Sequence, residues 1–379
     1  MKKQCKQRSF KSIKKSSELN NLSSCYTQIS LENIKTCIYN NIDNIPDHVT
    51  YLNCGYNFNN DINIQSAKSE LKILILGQYF ASKIIKLPPS IRSLYISSNN
   101  YNNDICNIIG ISKLQCLHIE TKYFSKSIDY LPHTLNEFYL SNTNDINITG
   151  KSIDKLPVTL YSFKYCPYRN DNMTNLPIFL KKLQFTIDHQ ICWQNLPPYL
   201  YLLDITNRLE PISYNNIPNN IEILSIFNAK SLKLANLPYK LRELDLGICL
   251  IENLDVFNKN KIHNPYPNPY LHKLTICKWQ NNDLIQIPIS IDTIIITDYL
   301  DELPLLPPHI TTVIFMNCHV NIDNLSDTIE HIIIDNSYDY LITKLPANII
   351  SIKFVEKYNY IDELFLLFGS MIDIMGIRN

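Results

Sequence analysis

The sequence predicts a repeat solenoid: short parallel strands stacked side by side, with extended or 3₁₀ segments returning behind them. Two observations carry this. A motif of the form LPxxLxxLxL recurs about every twenty residues along the chain of 379 residues. The three apolar sites of its LxxLxL core are apolar in every copy. A repeat this short has room for one strand, a turn and a return, but hardly for a full helix. No single unit can bury its own Leu face, so neighbours must stack into a continuous core and one long parallel sheet.

Full copies include LPPSIRSLYI, LPHTLNEFYL, LPIFLKKLQF, IPISIDTIII and LPANIISIKF. AKSELKILIL, GISKLQCLHI, PNPYLHKLTI and LSDTIEHIII are weaker copies in the same register, which gives about fifteen repeats. Within LxL the side chains alternate at period two, one row inward and one outward. Pro cannot donate to a strand ladder, so it stands before the strand and stiffens the approach. Three residues before most Leu-Pro pairs stands another apolar residue, such as Ile84, Ile128, Ile153 or Trp193. The array is expected to cover residues 42–357.

Solenoid ends need caps. Residues 1–41 read as a basic tail followed by a cap: Lys2, Lys3, Lys6, Arg8, Lys11, Lys14 and Lys15 meet no acid. Such a run is a solvated tail, a nuclear address or an anionic-surface contact. Residues 30–40, with Ser30 as candidate N-cap, carry apolar residues at helical spacing. Residues 358–379 are expected to be a C-terminal helical cap, because Ile361, Leu364, Phe365, Phe368 and Ile372 recur on one helical face. A longer step in the array holds the insertion at residues 258–270, NKNKIHNPYPNPY, whose prolines and tyrosines suggest a protruding extended loop. Tyr266 and Tyr270 are its candidate contact residues, since insertions in repeat proteins tend to lie on the binding face.

Composition narrows the function. Formal net charge is zero, so no global field points to nucleic acid. The 11 cysteines are odd in number and include no CxxC pair, and no apolar h-region follows the N-terminal lysines. Both argue for reduced thiols in an intracellular setting. No stretch is long and apolar enough to span a membrane. With only 7 glycines there is little material for phosphate-cradling loops, and no GxSxG, HExxH or Walker motif occurs. No catalytic residue, cofactor or metal site is therefore assigned. Cys116, His118 and Glu120 alternate on one outward strand face, but with 11 cysteines and 9 histidines one such row is expected by coincidence.

The LPxxLxxLxL residues resemble the leucine-rich-repeat superfamily in its short Leu-Pro form. They look still more like the FNIP-type repeats of social amoebae and of giant viruses of amoebae. The resemblance implies a horseshoe with the sheet on its concave face. The usual leucine-rich repeat has Asn or Cys three residues after the strand. Here only Asn57, Asn99, Cys249 and Cys318 stand there, while Asn142, Asn207, Asn228, Asn317 and Asn336 fall one residue earlier. Many FNIP-repeat proteins begin with an F-box that makes them ubiquitin-ligase adaptors, and residues 1–44 contain no convincing one.

The outward strand positions are then the candidate binding surface. Ile295, Ile314 and Ile333 occupy equivalent sites in consecutive repeats and are expected to form an exposed aliphatic ladder. Nearer the N-terminus the same column reads Ile75, Tyr95, His118 and Tyr139. The expected function is a non-enzymatic scaffold that binds a protein along its concave sheet, with no nucleic acid and no membrane as partner. If the viral source implied by the resemblance holds, the partner is a host protein and the place is the host cytoplasm. The alternative is the substrate-recognition subunit of a ubiquitin ligase.

Overall fold

The computed structural model describes residues 10–13, 23–24, 26–31, 42–43, 45–105, 113–142, 153–166, 175–187, 193–207, 217–228, 237–247, 269–277, 287–298, 303, 305–318, 320–335, 338–355, 358–369 and 373–375. Two compact units are present: residues 1–186 with 195–200, and residues 187–194 with 201–379.

In the first unit β1 (Phe10–Ile13), β2 (Gln28–Leu31), β3 (Tyr51–Asn53), β5 (Ile73–Leu76), β7 (Ser93–Ser97), β8 (Cys116–Thr121), β9 (Glu137–Asn142), β10 (Ser162–Cys166) and β11 (Lys182–Ile187) follow one another. Each pairs in parallel with the next. A separate pair, β4 (Ile62–Asn63) and β6 (Ile84–Lys86), runs along the return limb. The second unit repeats the pattern with β12 (Leu202–Asn207), β13 (Ile223–Phe227), β14 (Glu243–Asp245), β15 (Lys273–Cys277) and β16 (Thr293–Thr297). It continues through β17 (Thr312–Met316), β18 (His331–Asp335), β19 (Ser351–Phe354) and β20 (Asp373–Met375), again all parallel.

The repeat motif explains each strand. Pro is the first residue of a four-residue turn: the N–H of Leu135 donates to the Pro132 carbonyl at 3.0 Å, and Leu160, Leu180 and Leu241 do the same to Pro157, Pro177 and Pro238. A Pro there loses no ladder bond, because it is the carbonyl that works. The next two N–H groups after the Leu share one carbonyl of the preceding repeat, as Arg92 and Ser93 do with Lys72 at 2.8 and 2.9 Å. The inward LxxLxL positions are fully buried, for instance Leu135, Phe138 and Leu140. Behind them Phe58, Phe80, Tyr101 and Phe124 stack in a column, with successive centroids 6.0, 5.7 and 6.4 Å apart. Ile153–Lys155 and Trp193–Asn195 form the expected 3₁₀ turns, with Ile153 and Trp193 buried.

Both ends differ from the sequence reading. The ladder begins before the first Leu-Pro copy: Ile29 and Leu31 of β2 are buried, so Ser30 is a strand residue and not a helix N-cap. Lys11 lies within β1, its ammonium 5.3 Å over the Tyr26 ring. The other basic residues of the opening run, and residues 32–40, lie outside the described residues. At the C-terminus the expected helix is present as α1 (Ile361–Phe368), with Ile361 and Leu364 buried. It does not end the array, because β20 follows it and pairs with β19.

Candidate functional site

The outward positions align in register. In the first unit the column runs Asn53, Ile75, Tyr95, His118, Tyr139, Lys164, Gln184. In the second it runs Asp204, Ser225, Asp245, Thr275, Ile295, Ile314, Ile333, Lys353. Parallel strands stand about 4.8 Å apart, so each outward side chain is flanked by its neighbours in the column. Ile75, Tyr95, His118 and Tyr139 are half-buried in this way, as are Ile314 and Ile333. Ile295 corrects the expected exposed ladder: at 8 % exposure it is part of the core, beside an equally buried Thr275. In the second unit's outward column the aliphatic side chains that stay part exposed are therefore Ile314 and Ile333.

The first unit's column is aromatic. The His118 ring lies 5.8 Å from Tyr95 and 3.8 Å from Tyr139, tilted against both, and the Lys164 ammonium sits 4.7 Å over Tyr139. Cys116 Sγ is 3.6 Å from the Tyr95 hydroxyl, and His118 Nε2 is 3.9 Å from Glu120 Oε2. The Cys116 contact and burial push the Tyr95 hydroxyl up to about 12. Burial raises the Cys116 thiol. Burial also lowers His118, with Lys164 adding to the effect and Glu120 opposing it. Both groups are thus held neutral, the opposite of the thiolate–imidazolium pair that a nucleophilic cysteine requires. Among the described residues no three His, Cys, Asp or Glu side chains converge as a metal-ligand set. No helix among them is long and apolar enough to cross a membrane.

Tyr270 is half exposed and meets Tyr239 edge-on at 5.8 Å, while Tyr266 lies outside the described residues. Of the asparagines displaced by one residue, Asn228 and Asn317 adopt φ of 61° and 51°. The chain thus leaves the strand through a left-handed residue, which Asn tolerates. Cys318 keeps the usual role: its Sγ donates to the Ile296 carbonyl at 3.0 Å. Sequence reasoning missed a second surface, the two x positions of LPxxL at the start of the strands. Val158, Ile178, Phe179 and Tyr199 are each more than half exposed there. Their signal was present as large apolar residues at the x positions, which the motif leaves undefined.

Fold and site together define a parallel β-solenoid built from short repeats, one strand to each. The sequence matches no protein-family model and no curated protein. Solved structures do resemble it. One is described as CroV588, a circular LRR protein, with a TM-score of 0.43 and 18% identity over 91% of this chain. The match covers 55% of CroV588, so this chain spans about half of that protein's length. Another is YopM from Yersinia enterocolitica WA-314, with a TM-score of 0.37 and 16% identity, covering 88% of this chain and 80% of that one.

Proposed function

We propose that this protein is a non-enzymatic scaffold that holds a protein partner along the outward face of its strands. The observation that carries this reading is the aromatic column Tyr95–His118–Tyr139, capped by Lys164, on a sheet face with no element of its own unit packed over those strands among the described pairings. Tyr in particular presents a large, rigid contact area with a polar tip, which is why it is enriched at protein interfaces. Ile314 and Ile333 add aliphatic surface in the second unit. The chemistry is multipoint contact, and the neutral Cys116 and His118 fit a contact role better than a catalytic one. The proposal includes FNIP-type repeats, an intracellular location and a host protein as partner; these rest on the resemblance and on the odd number of cysteines without a CxxC pair.

The test is affinity capture from amoeba lysate with wild type and variants side by side. Tyr95→Ala with Tyr139→Ala, and separately Ile314→Glu with Ile333→Glu, should each lose a protein that wild type retains, with melting temperatures close to wild type. Ile295→Glu should instead unfold its repeat, because it buries a charge. Capture of the same proteins by all folded variants would contradict the proposal.

A further inference from the structure

The second x of LPxxL has a structural job in several repeats. Ser90 Oγ donates to the Leu71 carbonyl at 2.8 Å, Thr134 Oγ1 to Leu114 at 2.7 Å, and Thr159 Oγ1 to Leu135 at 2.9 Å. Each hydroxyl ties its turn to the repeat before it. Phe179 and Tyr199 occupy the same site in the next two copies and have no hydroxyl within reach of that role. They project outward instead, more than half exposed, with rings stacked 6.0 Å apart. Val158 and Ile178, at the neighbouring x positions, are exposed beside them. Packing does not require any of the four.

The same edge is cationic. Lys155, Lys181 and Lys182 stand at it, the described residues 155–166, 175–187 and 195–200 hold no acid, and Glu137 opens the strand before Ser162. In a chain whose formal charge sums to zero this is a local concentration. Lys155 is paired with Asp129 at 3.4 Å. Lys181 and Lys182 both rest on the Tyr161 ring, at 5.6 and 5.5 Å. Neither Lys181 nor Lys182 forms an ion pair with a described carboxylate. All of these residues belong to the first unit.

An apolar centre bordered by unpaired cations is the anatomy of a protein interface with an acidic counterpart. Nucleic acid fits less well, because Val158 and Ile178 offer aliphatic surface where a base needs an aromatic face. We infer that the strand-start edge around Phe179 and Tyr199 binds an acidic protein segment carrying aromatic or aliphatic anchors. The site is separate from the outward sheet face; it rests on the scaffold reading only in taking a protein as ligand.

A short fluorescein-labelled peptide of Glu, Asp, Trp and Leu tests it by fluorescence polarisation against the full chain. Wild type should bind it, and more weakly as salt rises. Lys181→Glu with Lys182→Glu, and separately Phe179→Ser with Tyr199→Ser, should each weaken binding by at least roughly tenfold. If the Glu pair lowers the melting temperature, Lys181→Gln with Lys182→Gln gives the same reading without added charge. Ile314→Glu with Ile333→Glu should bind the peptide as wild type does, which separates this site from the sheet face. The inference is overturned by no binding, by equal binding of a Lys-rich peptide with the same Trp and Leu content, by tighter binding of oligodeoxythymidylate, or by edge variants that bind normally.

Discussion

A Cβ placed on Gly77 would lie 2.1 Å from the carbonyl oxygen of Gly55, one repeat earlier, and 2.9 Å from the Tyr56 Cα. Gly55 itself holds φ at 69°. The two turns approach so closely that only a hydrogen fits between them. Gly77→Ala should therefore cost about 1–3 kcal/mol, read as a lower urea midpoint; an unchanged midpoint would mean that the backbones separate freely. At this scale the sequence was legible where chemistry is forced. Leu at the LxxLxL sites had to be inward, and it is. It was not legible where environment decides. Ile295 and Ile314 have the same side chain in the same column, yet Ile295 is buried and Ile314 is not. The role of Pro was half visible: its lack of an N–H placed it before the strand, but the turn closed on its carbonyl appears only in three dimensions.

At the scale of the element, strands were legible from alternation and returns were not. The return limbs are held by side chains that bond backbone one repeat away: Asp61 accepts from the Lys83 N–H at 2.8 Å, and Asn102 from the Ser125 N–H at 2.8 Å. Asn103 Nδ2 donates to the Ala81 and Ser82 carbonyls at 2.7 and 2.9 Å. Much of the Asn and Asp that looks like solvent-facing composition is thus structural. The stacked column Phe58–Phe80–Tyr101–Phe124 is the apolar side of the same limbs, and its regular spacing in sequence was a signal that went unread. Phe80 touches a ring on either side, so Phe80→Ala should cost about 3–5 kcal/mol. Tyr79→Ala, at an exposed neighbour, should cost little. Comparable losses at both positions would show that the stack does not hold the returns together. The N-terminal strands escaped notice because FKSI and QISL have the period-two alternation without the LxxLxL register, usually opened by Leu-Pro, that announces the strands of the array.

For the whole molecule, the repeat assigns most Leu, Ile and Pro to packing and leaves function to the residues that packing does not use. Those are the outward column and the strand-start edge, two surfaces on the same strands with different chemistry. The column was legible because its register follows from the motif; the edge was not, because the motif leaves its residues undefined. The central claim is that the partner lies along the outward face. Cross-linking mass spectrometry on the captured complex tests it most directly, with amine-reactive reagent and lysines on both sides as reporters. Partner cross-links should fall on Lys164, Lys273 and Lys353, which stand at outward strand positions. Lys83, Lys86 and Lys344, on the return limbs, should carry few or none. Cross-links concentrated on those return-limb lysines would contradict the account.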